Sequence, residues 1–294
     1  MLEAGMLDAR MRTFLAVCRE KSFTRAADAL CVTQPAVSQQ IRLLEEELGH
    51  RLVSVRGRTV EPTAEGAILL RFAERAAADA RRTRELLDDV RSVRSFRIGS
   101  TRTVGEYVLP GYLAPWLRAH PDACVSLAVD NSDRLFRALR AGELDFLCVE
   151  GSFDRSLYAS KPLFRDAFAT VCAPGHPLAG KQAALEDLFG ETLIIREQGS
   201  GSRALIESAL AACDRSIGAF ARVLEIGNIG AIKSLAASGC GIAILYEASV
   251  TRETASGGLA RIQLTDFSVS HEYSFVCLPG SLYEADYAAF FGVL

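Results

Sequence analysis

The chain has 294 residues, of which 49% are hydrophobic and 23% charged, and its formal net charge is −3. This composition is typical of a folded, soluble protein that is long enough for two or three compact units. No apolar run approaches the roughly 18–20 residues that a membrane-spanning helix needs. The charged N-terminus is not a signal peptide, so we expect a cytoplasmic protein.

A helix-turn-helix is predicted near the N-terminus. Ser22 is placed to cap a short helix over residues 23–30. After a turn, Thr33 is placed to cap a longer second helix over residues 34–48, which Gly49 ends. Two capped helices joined by a short turn indicate a DNA-binding unit, in which the second helix enters the major groove.

The exposed first half of the second helix offers side chains that can reach base edges, because amides and hydroxyls read bases and a guanidinium reads guanine or phosphate. A hairpin over residues 52–60 follows, and the Arg-Gly-Arg at its tip suits a wing that lies against phosphate. Taken alone, each piece is equally well a surface helix or a surface turn. The predicted DNA-contacting residues are Ser22, Thr24, Thr33, Gln34, Pro35, Ala36, Ser38, Gln39, Arg42, Arg56 and Arg58.

The segments SFTRAADAL, TQPAVSQQI, LEEELG and RGRTVEPTAEG resemble the winged helix-turn-helix of LysR-type transcriptional regulators, and the resemblance extends over the whole chain. The usual family aromatic after LG-x-x-L is replaced by Val53, at a packing position away from the DNA face. The resemblance implies a DNA-binding domain over residues 1–62, a linker and dimerisation helix over 63–94, and an effector-binding domain over 95–294. The regulatory half is most similar to the family subset linked to sulfur and inorganic-carbon assimilation.

The predicted linker helix carries small and apolar residues at alternating spacings of four and three, which is a heptad seam. One interpretation is a helix that lies on its own domain. The alternative, pairing with another chain, is favoured by the seam and by the resemblance, so we expect a homodimer or a homotetramer. The seam positions are Leu69, Ala73, Ala76, Ala80, Thr83, Leu87 and Val90.

From residue 96 onwards, strands alternate with helices, which predicts parallel sheets with helices on both faces. The predicted strands include 97–100, 124–129 and 144–149, and a helix is predicted over 134–141. Strands over 167–173 and 272–278 are interpreted as crossovers between two lobes of a periplasmic-binding-protein-like α/β unit. By the resemblance, lobe I is about 95–165 plus 270–294, and lobe II is about 166–269.

Ligands of open α/β sheets bind beyond the carboxyl ends of the strands, where helix N-termini present free N–H groups. Hydroxyls and amides follow predicted strands in both lobes, and arginines lie close by, which favours a small anion or carboxylate as effector. For any one of these residues alone, a plain helix cap is the simpler interpretation. The predicted effector-binding residues are Ser100, Thr101, Thr103, Asn131, Gln198, Ser202 and Asn228.

Other classes of function have little support in the sequence. The first 94 residues hold 16 Lys and Arg against 14 Asp and Glu, so DNA binding rests on the motif and on dimerisation. We expect no catalytic site, metal site or cofactor, because neither a catalytic motif nor metal-ligand spacing is present. RNA polymerase is a further candidate partner. Eight scattered cysteines are expected to be small buried hydrophobes, with a thiol-based redox regulator as the alternative function.

Overall fold

The structure is a computed structural model, and it describes residues 6–57, 59–88, 95–151 and 153–291. Arg58 of the predicted wing and Val90 of the predicted seam lie outside the described residues. The predicted architecture is confirmed: an N-terminal winged helix-turn-helix (the head) is followed by a long linker helix and a two-lobed α/β unit.

The head consists of helices α1 (Ala9–Glu20), α2 (Phe23–Leu30) and α3 (Gln34–Leu48) and an antiparallel hairpin of β1 (Val53–Arg56) and β2 (Thr59–Pro62). Ser22 Oγ accepts a hydrogen bond from the Arg25 amide at 3.3 Å, and Thr33 Oγ1 accepts one from the Ala36 amide at 3.4 Å. The two caps start α2 and α3 at the residues predicted from the sequence.

A buried carboxylate joins the recognition helix to the wing. Glu45 on α3 accepts hydrogen bonds from the amides of Leu52 and Val53 at 2.8 and 3.3 Å, and from Arg51 Nη1 at 3.1 Å. A buried carboxylate is stable only when its oxygens are satisfied in this way. The orientation of the wing relative to α3 is therefore fixed by one side chain, which belongs to the LEEELG segment.

The linker helix α4 (Ala64–Asp88) starts against the backbone of the wing. Thr63 Oγ1 donates to the Arg51 carbonyl at 2.7 Å and accepts from the Gly66 amide at 2.9 Å. A Cβ on Gly66 would lie 1.9 Å from the Leu52 carbonyl oxygen, so glycine is required for this close approach. The first turn of α4 is therefore packed directly on the head.

Lobe I is a mixed sheet in the order β4-β3-β5-β12-β6, with helices packed on it. The strands of its parallel part agree with the strands predicted from the sequence. The segment after β3 begins as a π-helical turn over Val104–Val108 and then continues as an α-helix. The elements are β3 (Ser95–Ser100), β4 (Cys124–Val129), β5 (Phe146–Val149), β6 (Ala159–Cys172), β12 (Ser270–Cys277), α5 (Leu109–Ala119), α6 (Ser132–Arg140) and α10 (Glu284–Phe291).

Lobe II continues from the second part of β6 in the order β6-β10-β8-β9, and β11 pairs with both β6 and β7. Its core is aliphatic, as two-sided burial of parallel strands requires. The elements are β7 (Gln182–Ala183), β8 (Thr192–Ile195), β9 (Arg222–Glu225), β10 (Ile242–Tyr246), β11 (Ala260–Leu264), α7 (Gly201–Ala212), α8 (Ile229–Ala237) and α9 (Glu247–Ala255), with 3-10 turns over Leu185–Leu188 and Ile217–Ala219.

The strand β6 connects the two lobes. Residues 159–167 pair with β12 in lobe I, whereas residues 168–172 pair with β10 and β11 in lobe II. The predicted strand began at residue 167 and missed the first part, because Pro162 interrupts the sequence pattern. The structure accommodates Pro162 at a register shift opposite Tyr273 and Ser274. The lobe and domain boundaries themselves stay predictions.

The linker helix also packs on lobe I of its own chain. Asp79 accepts hydrogen bonds from Ser281 Oγ at 2.5 Å and from the Leu282 amide at 3.1 Å. A Cβ on Gly142, whose φ is +68°, would lie 2.8 Å from the Ala78 Cα. The backbones of α4 and lobe I are therefore in contact at this point, so the same helix is held by the head at one end and by lobe I further along.

This packing divides the predicted seam. Ala73 is fully buried within the chain, so the seam interpretation was wrong for this position, and Leu69 is half-buried against the core of the head. The large apolar side chains that α4 leaves exposed are instead Ile68, Phe72 and Leu87, with 63%, 50% and 69% of their surface accessible. Leu69 packs against its own chain because the head covers part of the first turns of α4.

A cavity of about 1010 Å³ lies between the head, α4 and α6. Glu74 of α4 lines it, with Arg140 Nε of α6 3.6 Å from Glu74 Oε1. Burial raises the pKa of Glu74 to about 7, although Arg140 and Arg19 favour its ionised form. The folded chain therefore retains a proton that the unfolded chain releases near pH 4.5.

We predict that Glu74→Gln stabilises the protein only at higher pH. A carboxyl whose pKa is raised by folding reduces stability as the pH rises from about 4.5 to 7, and the cost is then fully present above pH 7. The variant should have a free energy of unfolding roughly 2–3 kcal/mol above that of the wild type at pH 8 and a smaller advantage at pH 5, by urea titration. Glu143→Gln, which removes an exposed carboxylate from the same cavity, is the control. Parallel pH profiles for wild type and Glu74→Gln would contradict the assignment.

Candidate DNA-binding surface and effector cleft

The outer face of α3 carries the predicted base-contacting residues. Thr33, Gln34, Pro35, Gln39 and Arg42 are exposed, and Ala36 and Ser38 are half-buried. The opposite face of α3 is buried in the head, including the fully buried Val37. The predicted residues of the second helix therefore share one accessible surface, which the head core holds in place.

Several of these side chains have internal partners in the free chain. Gln34 Nε2 donates to Ser38 Oγ at 2.7 Å, and Arg42 Nε donates to Glu46 Oε1 at 2.8 Å. Both contacts are exposed, and exposed pairs of this kind contribute little free energy. DNA can therefore replace them at small cost, which suits residues that read base edges.

The remaining predicted DNA contacts lie around α3. Ser22 is half-buried as the cap of α2, and Thr24 is exposed on the same helix. Arg56 extends from the end of β1 with 80% of its side chain accessible, and its Nε lies 3.9 Å from Glu61 Oε2. Arg58 lies outside the described residues. Arg56 is thus a loosely paired cation on the wing.

The effector-site residues predicted in lobe I lie at the carboxyl ends of β3 and β5. Ser100 is fully buried, and its Oγ donates to the Cys148 carbonyl at 2.9 Å. Thr101 Oγ1 is hydrogen-bonded to the carboxyl of Glu150 and accepts from the Glu150 amide at 3.3 Å. Thr103 is buried beside them. Three predicted hydroxyls therefore lie close together, and one of them, that of Thr101, is already hydrogen-bonded to the carboxyl of Glu150.

Glu150 is the functional candidate that the sequence interpretation missed. It follows β5 directly, so the rule that placed Ser100 and Asn131 after their strands would have found it. Only 6% of its surface is exposed, and burial raises the pKa of its carboxyl against the opposing effects of Thr101 and Arg196. The cleft contains a buried acid that the predicted anion site did not include.

The lobe II side of the cleft is the N-terminus of α7. Ser202 is buried, and its Oγ shares a hydrogen bond with Ser200 Oγ at 3.0 Å. Ser200, the N-cap residue, makes no side-chain cap bond to the helix. A Cβ on Gly201 would lie 3.9 Å from the carbonyl oxygen of Glu150, so the two lobes meet here. Gln198 lies nearby but is exposed, and its backbone N–H donates to Glu225 Oε1 at 3.4 Å.

Two of the three arginines that favoured an anionic effector, Arg196 and Arg203, already have acidic partners, whereas the third, the half-buried Arg102, lies within electrostatic range of Glu197 and Asp130. Arg196 Nε and Nη2 contact the two carboxylate oxygens of Glu197 at 2.7 and 2.9 Å. Arg203 pairs with Glu207 at 2.8 Å and with Glu225 at 2.5 Å. These pairs neutralise the charges of Arg196 and Arg203, so an attraction for anions does not follow from those two arginines.

Asn131 and Asn228 act as helix caps. Asn131 Oδ1 accepts from the Arg134 amide at 3.0 Å at the start of α6, and Asn228 Oδ1 accepts from the Ala231 amide at 2.8 Å at the start of α8. Both side chains are exposed. The simpler interpretation of the two asparagines therefore accounts for what the structure shows, and their contact with an effector stays a prediction.

Three cysteines are buried, one is half-buried and four are exposed, which corrects the expectation that all are buried. Cys148, Cys172 and Cys277 are buried, and burial raises the pKa of the Cys172 thiol to about 11 and that of Cys277 to about 12. Cys18 is half-buried with a pKa raised to about 12 by burial. The exposed cysteines are Cys31, Cys124, Cys213 and Cys240. Cys31 is exposed because it ends α2 in the left-handed turn, with φ +56°.

Within the described ranges, neither a helix able to span a membrane nor a cluster of metal-ligating side chains is found.

Two family models cover nearly the whole chain. The model described as "Bacterial regulatory helix-turn-helix protein, lysR family" matches residues 9–67, and "LysR substrate binding domain" matches residues 91–294. The chain belongs to the LysR family. It is a DNA-binding transcriptional regulator with an effector-binding domain, as the resemblance of its sequence implied.

Curated relatives of the LysR regulator confirm the finer resemblance. It is 25% identical to a probable RuBisCO transcriptional regulator of Trieres chinensis, over 92% of this chain and 90% of that protein. It is 26% identical to the HTH-type transcriptional regulator CysL of Bacillus subtilis, with the same shares covered. The similarity to regulators of the inorganic-carbon and sulfur subset therefore extends over both domains.

Solved structures agree with the fold. A full-length OxyR variant from Pseudomonas aeruginosa matches with a TM-score of 0.63 at 21% identity, over 97% of this chain and 93% of that chain, which shows the fold alone. The CcmR regulatory domain of Synechocystis PCC6803 matches with a TM-score of 0.59 at 25% identity, over 67% of this chain and 95% of that chain.

Proposed function

We propose that this LysR regulator binds an operator as a homo-oligomer and responds to a small carboxylate held between lobes I and II, without catalysing a reaction. The observation that supports the proposal is the approach of Gly201 to Glu150, where a Cβ on Gly201 would lie 3.9 Å from the Glu150 carbonyl oxygen, because Ser202 follows Gly201 in lobe II and Thr101 is hydrogen-bonded to Glu150 in lobe I. Only a ligand that touches both lobes favours one inter-lobe angle over another. CcmR, a structural relative, was solved in complex with 2-PG, which supports a small acidic ligand.

The proposed ligand set is drawn from both sides of the cleft. Ser100, Thr101 and Thr103 contribute from lobe I, and Gln198 and Ser202 from lobe II. We keep Asn131 and Asn228 at the edge of this proposal, because their Oδ1 atoms already cap helices. The proposed location is the cytoplasm, where operator DNA and RNA polymerase, a further proposed partner, are found.

The redox alternative has less support. Burial holds the thiols of Cys148, Cys172 and Cys277 in their protonated form, and a protonated thiol is a poor nucleophile. The similarity to OxyR is below 25% identity and concerns the fold. A response to peroxide that persists in Ser202→Ala and is lost on replacement of an exposed cysteine would revive the alternative.

For the DNA surface, we predict that Gln39→Ala weakens binding to the cognate operator by about 1–3 kcal/mol and relaxes its discrimination, because a base-edge contact is lost. Arg56→Ala should weaken binding to all duplexes similarly and reduce the salt slope by about one. Fluorescence anisotropy with operator and scrambled duplexes at several salt concentrations measures both effects. If each variant binds every duplex as the wild type does, α3 and the wing are not the DNA surface.

For the oligomer, we predict that Ile68→Asp combined with Phe72→Asp gives a monomer of normal stability. The two side chains are adjacent on one exposed face of α4, and burying two carboxylates there in an interface is costly. Light scattering of the full chain measures the mass. The control Val55→Asp, on an exposed wing residue, should leave the oligomer intact. Leu69→Asp should lower the melting temperature instead, because Leu69 packs in the head core.

For the effector, we predict that Ser202→Ala lowers affinity about ten- to a hundredfold, since a hydroxyl bonded to a charged ligand contributes roughly 1.5–3 kcal/mol. Operator binding by the effector-free protein should not change. Thr101→Val should act similarly but also leaves the Glu150 carboxyl without its partner, so Thr101→Ser is the matched control. A thermal-shift titration with small carboxylates measures the affinities. Wild-type affinity in Ser202→Ala and Thr101→Val would rule out the cleft.

A further inference from the structure

The charge balance of the cleft differs from that of a simple anion site. Glu150 brings a carboxyl to the carboxyl end of β5, where it bonds to Thr101. Arg196 and Arg203 are engaged by Glu197, Glu207 and Glu225. A bare anion entering the cleft would therefore meet one buried acid and two arginines that already have acidic partners, with the half-buried Arg102 as a further cation nearby. Like charges brought together away from water repel strongly.

A buried polar group near Glu150 has no hydrogen-bond partner among the described residues. The Tyr246 hydroxyl, at the end of β10, is buried without a hydrogen-bond partner in the described structure, and only 1% of the residue is exposed. Burial raises the pKa of Tyr246, and the carboxylates of Glu150 and Asp166 raise it further, so the hydroxyl lies near both. A buried hydroxyl without a partner costs about 1–3 kcal/mol, which indicates that this end of the cleft is built for a polar group.

The N-terminus of α7 is the complementary half of the site. It has no side-chain cap, so the amides of its first turn are directed at the cleft with the positive end of the helix dipole. The Cβ position of Gly201 lies 3.9 Å from the backbone carbonyl oxygen of Glu150, so the first turn of α7 approaches the backbone of the residue that carries the acid. The cleft therefore has an anion-binding end and an acidic end.

We propose that the effector is a small acid that carries a hydrogen-bond donor, an ammonium or hydroxyl group, close to its carboxylate. The carboxylate binds at the N-terminus of α7 with Ser202, and the donor group binds Glu150. Amino acids and hydroxy acids share this chemistry. The inference rests on the proposed function, because it assumes that the cleft is the effector site.

The pH dependence of binding separates the two donor classes. Glu150 is faced by Thr101 and Arg196, which favour its ionised form, and by the hydroxyl of Tyr246, with Asp166 and the Tyr273 hydroxyl beyond. An ammonium stabilises ionised Glu150, so the affinity for an amino acid should rise as the pH rises through the raised pKa. A hydroxy acid adds no positive charge, so its affinity should not rise. An acid that lacks a donor should bind more weakly as Glu150 ionises.

Calorimetric titration of the full-length protein tests the proposal with two matched sets of ligands: alanine, lactate and propionate, and aspartate, malate and succinate. In at least one set, the amino or hydroxy acid should bind about tenfold to a hundredfold more tightly than the unsubstituted acid. Glu150→Gln, which keeps an acceptor for Thr101 but not the charge, should reduce this preference at least tenfold for an amino acid and remove the pH dependence.

Glu143→Gln, which removes an acid far from the cleft, is the matched control and should preserve the preference. The proposal is overturned if propionate, succinate or sulfate binds as tightly as the substituted acids, or if Glu150→Gln leaves the ranking and the pH profile unchanged. If that occurs while Ser202→Ala still weakens binding, the cleft stands as the effector site and only the donor requirement fails. If no acid of either set binds, both proposals fail.

Discussion

The linker helix is held at two points where backbone meets backbone, and the rest of the architecture depends on these contacts. Gly66 lets the first turn of α4 reach the Leu52 carbonyl in the head, and Gly142 lets lobe I reach Ala78, about half the length of the helix further on. A side chain at either glycine would force the elements apart. The head and lobe I are therefore both attached to α4.

This arrangement offers a route by which a ligand in the proposed cleft can influence DNA binding. Lobe II meets lobe I through β6 and through the contact of α7 with the end of β5. The residues of lobe I at this contact belong to the lobe I sheet. The segment that follows β12 of the same sheet binds Asp79 and Thr83 of α4. A change in the angle between the lobes therefore moves lobe II relative to the head, α4 and lobe I. In an oligomer such a change repositions neighbouring heads.

Much of the fold follows from local sequence patterns. The caps at Ser22 and Thr33 determine where α2 and α3 begin, and the strand β4 was predicted at both ends, because caps and alternating strands act through neighbours in sequence. The failures share a cause in long-range packing. Leu69 fits a heptad seam by spacing but is covered by the head, and β6 continues through Pro162 because β12 accommodates it with a register shift. Within the predicted site, the contacts of Glu150 with Thr101 and of Arg203 with Glu225 depend on which distant elements meet.

The central claim is that one small ligand contacts both lobes of the cleft. Hydrogen–deuterium exchange of the full-length protein, with and without the carboxylic acid that most raises its melting temperature, tests it directly. Slower exchange should appear together at residues 99–103, at residues 148–151 and at the first turn of α7, with little change at residues 134–143 beside α4. Protection confined to one lobe, or centred on the cavity between the head and α6, would contradict the account.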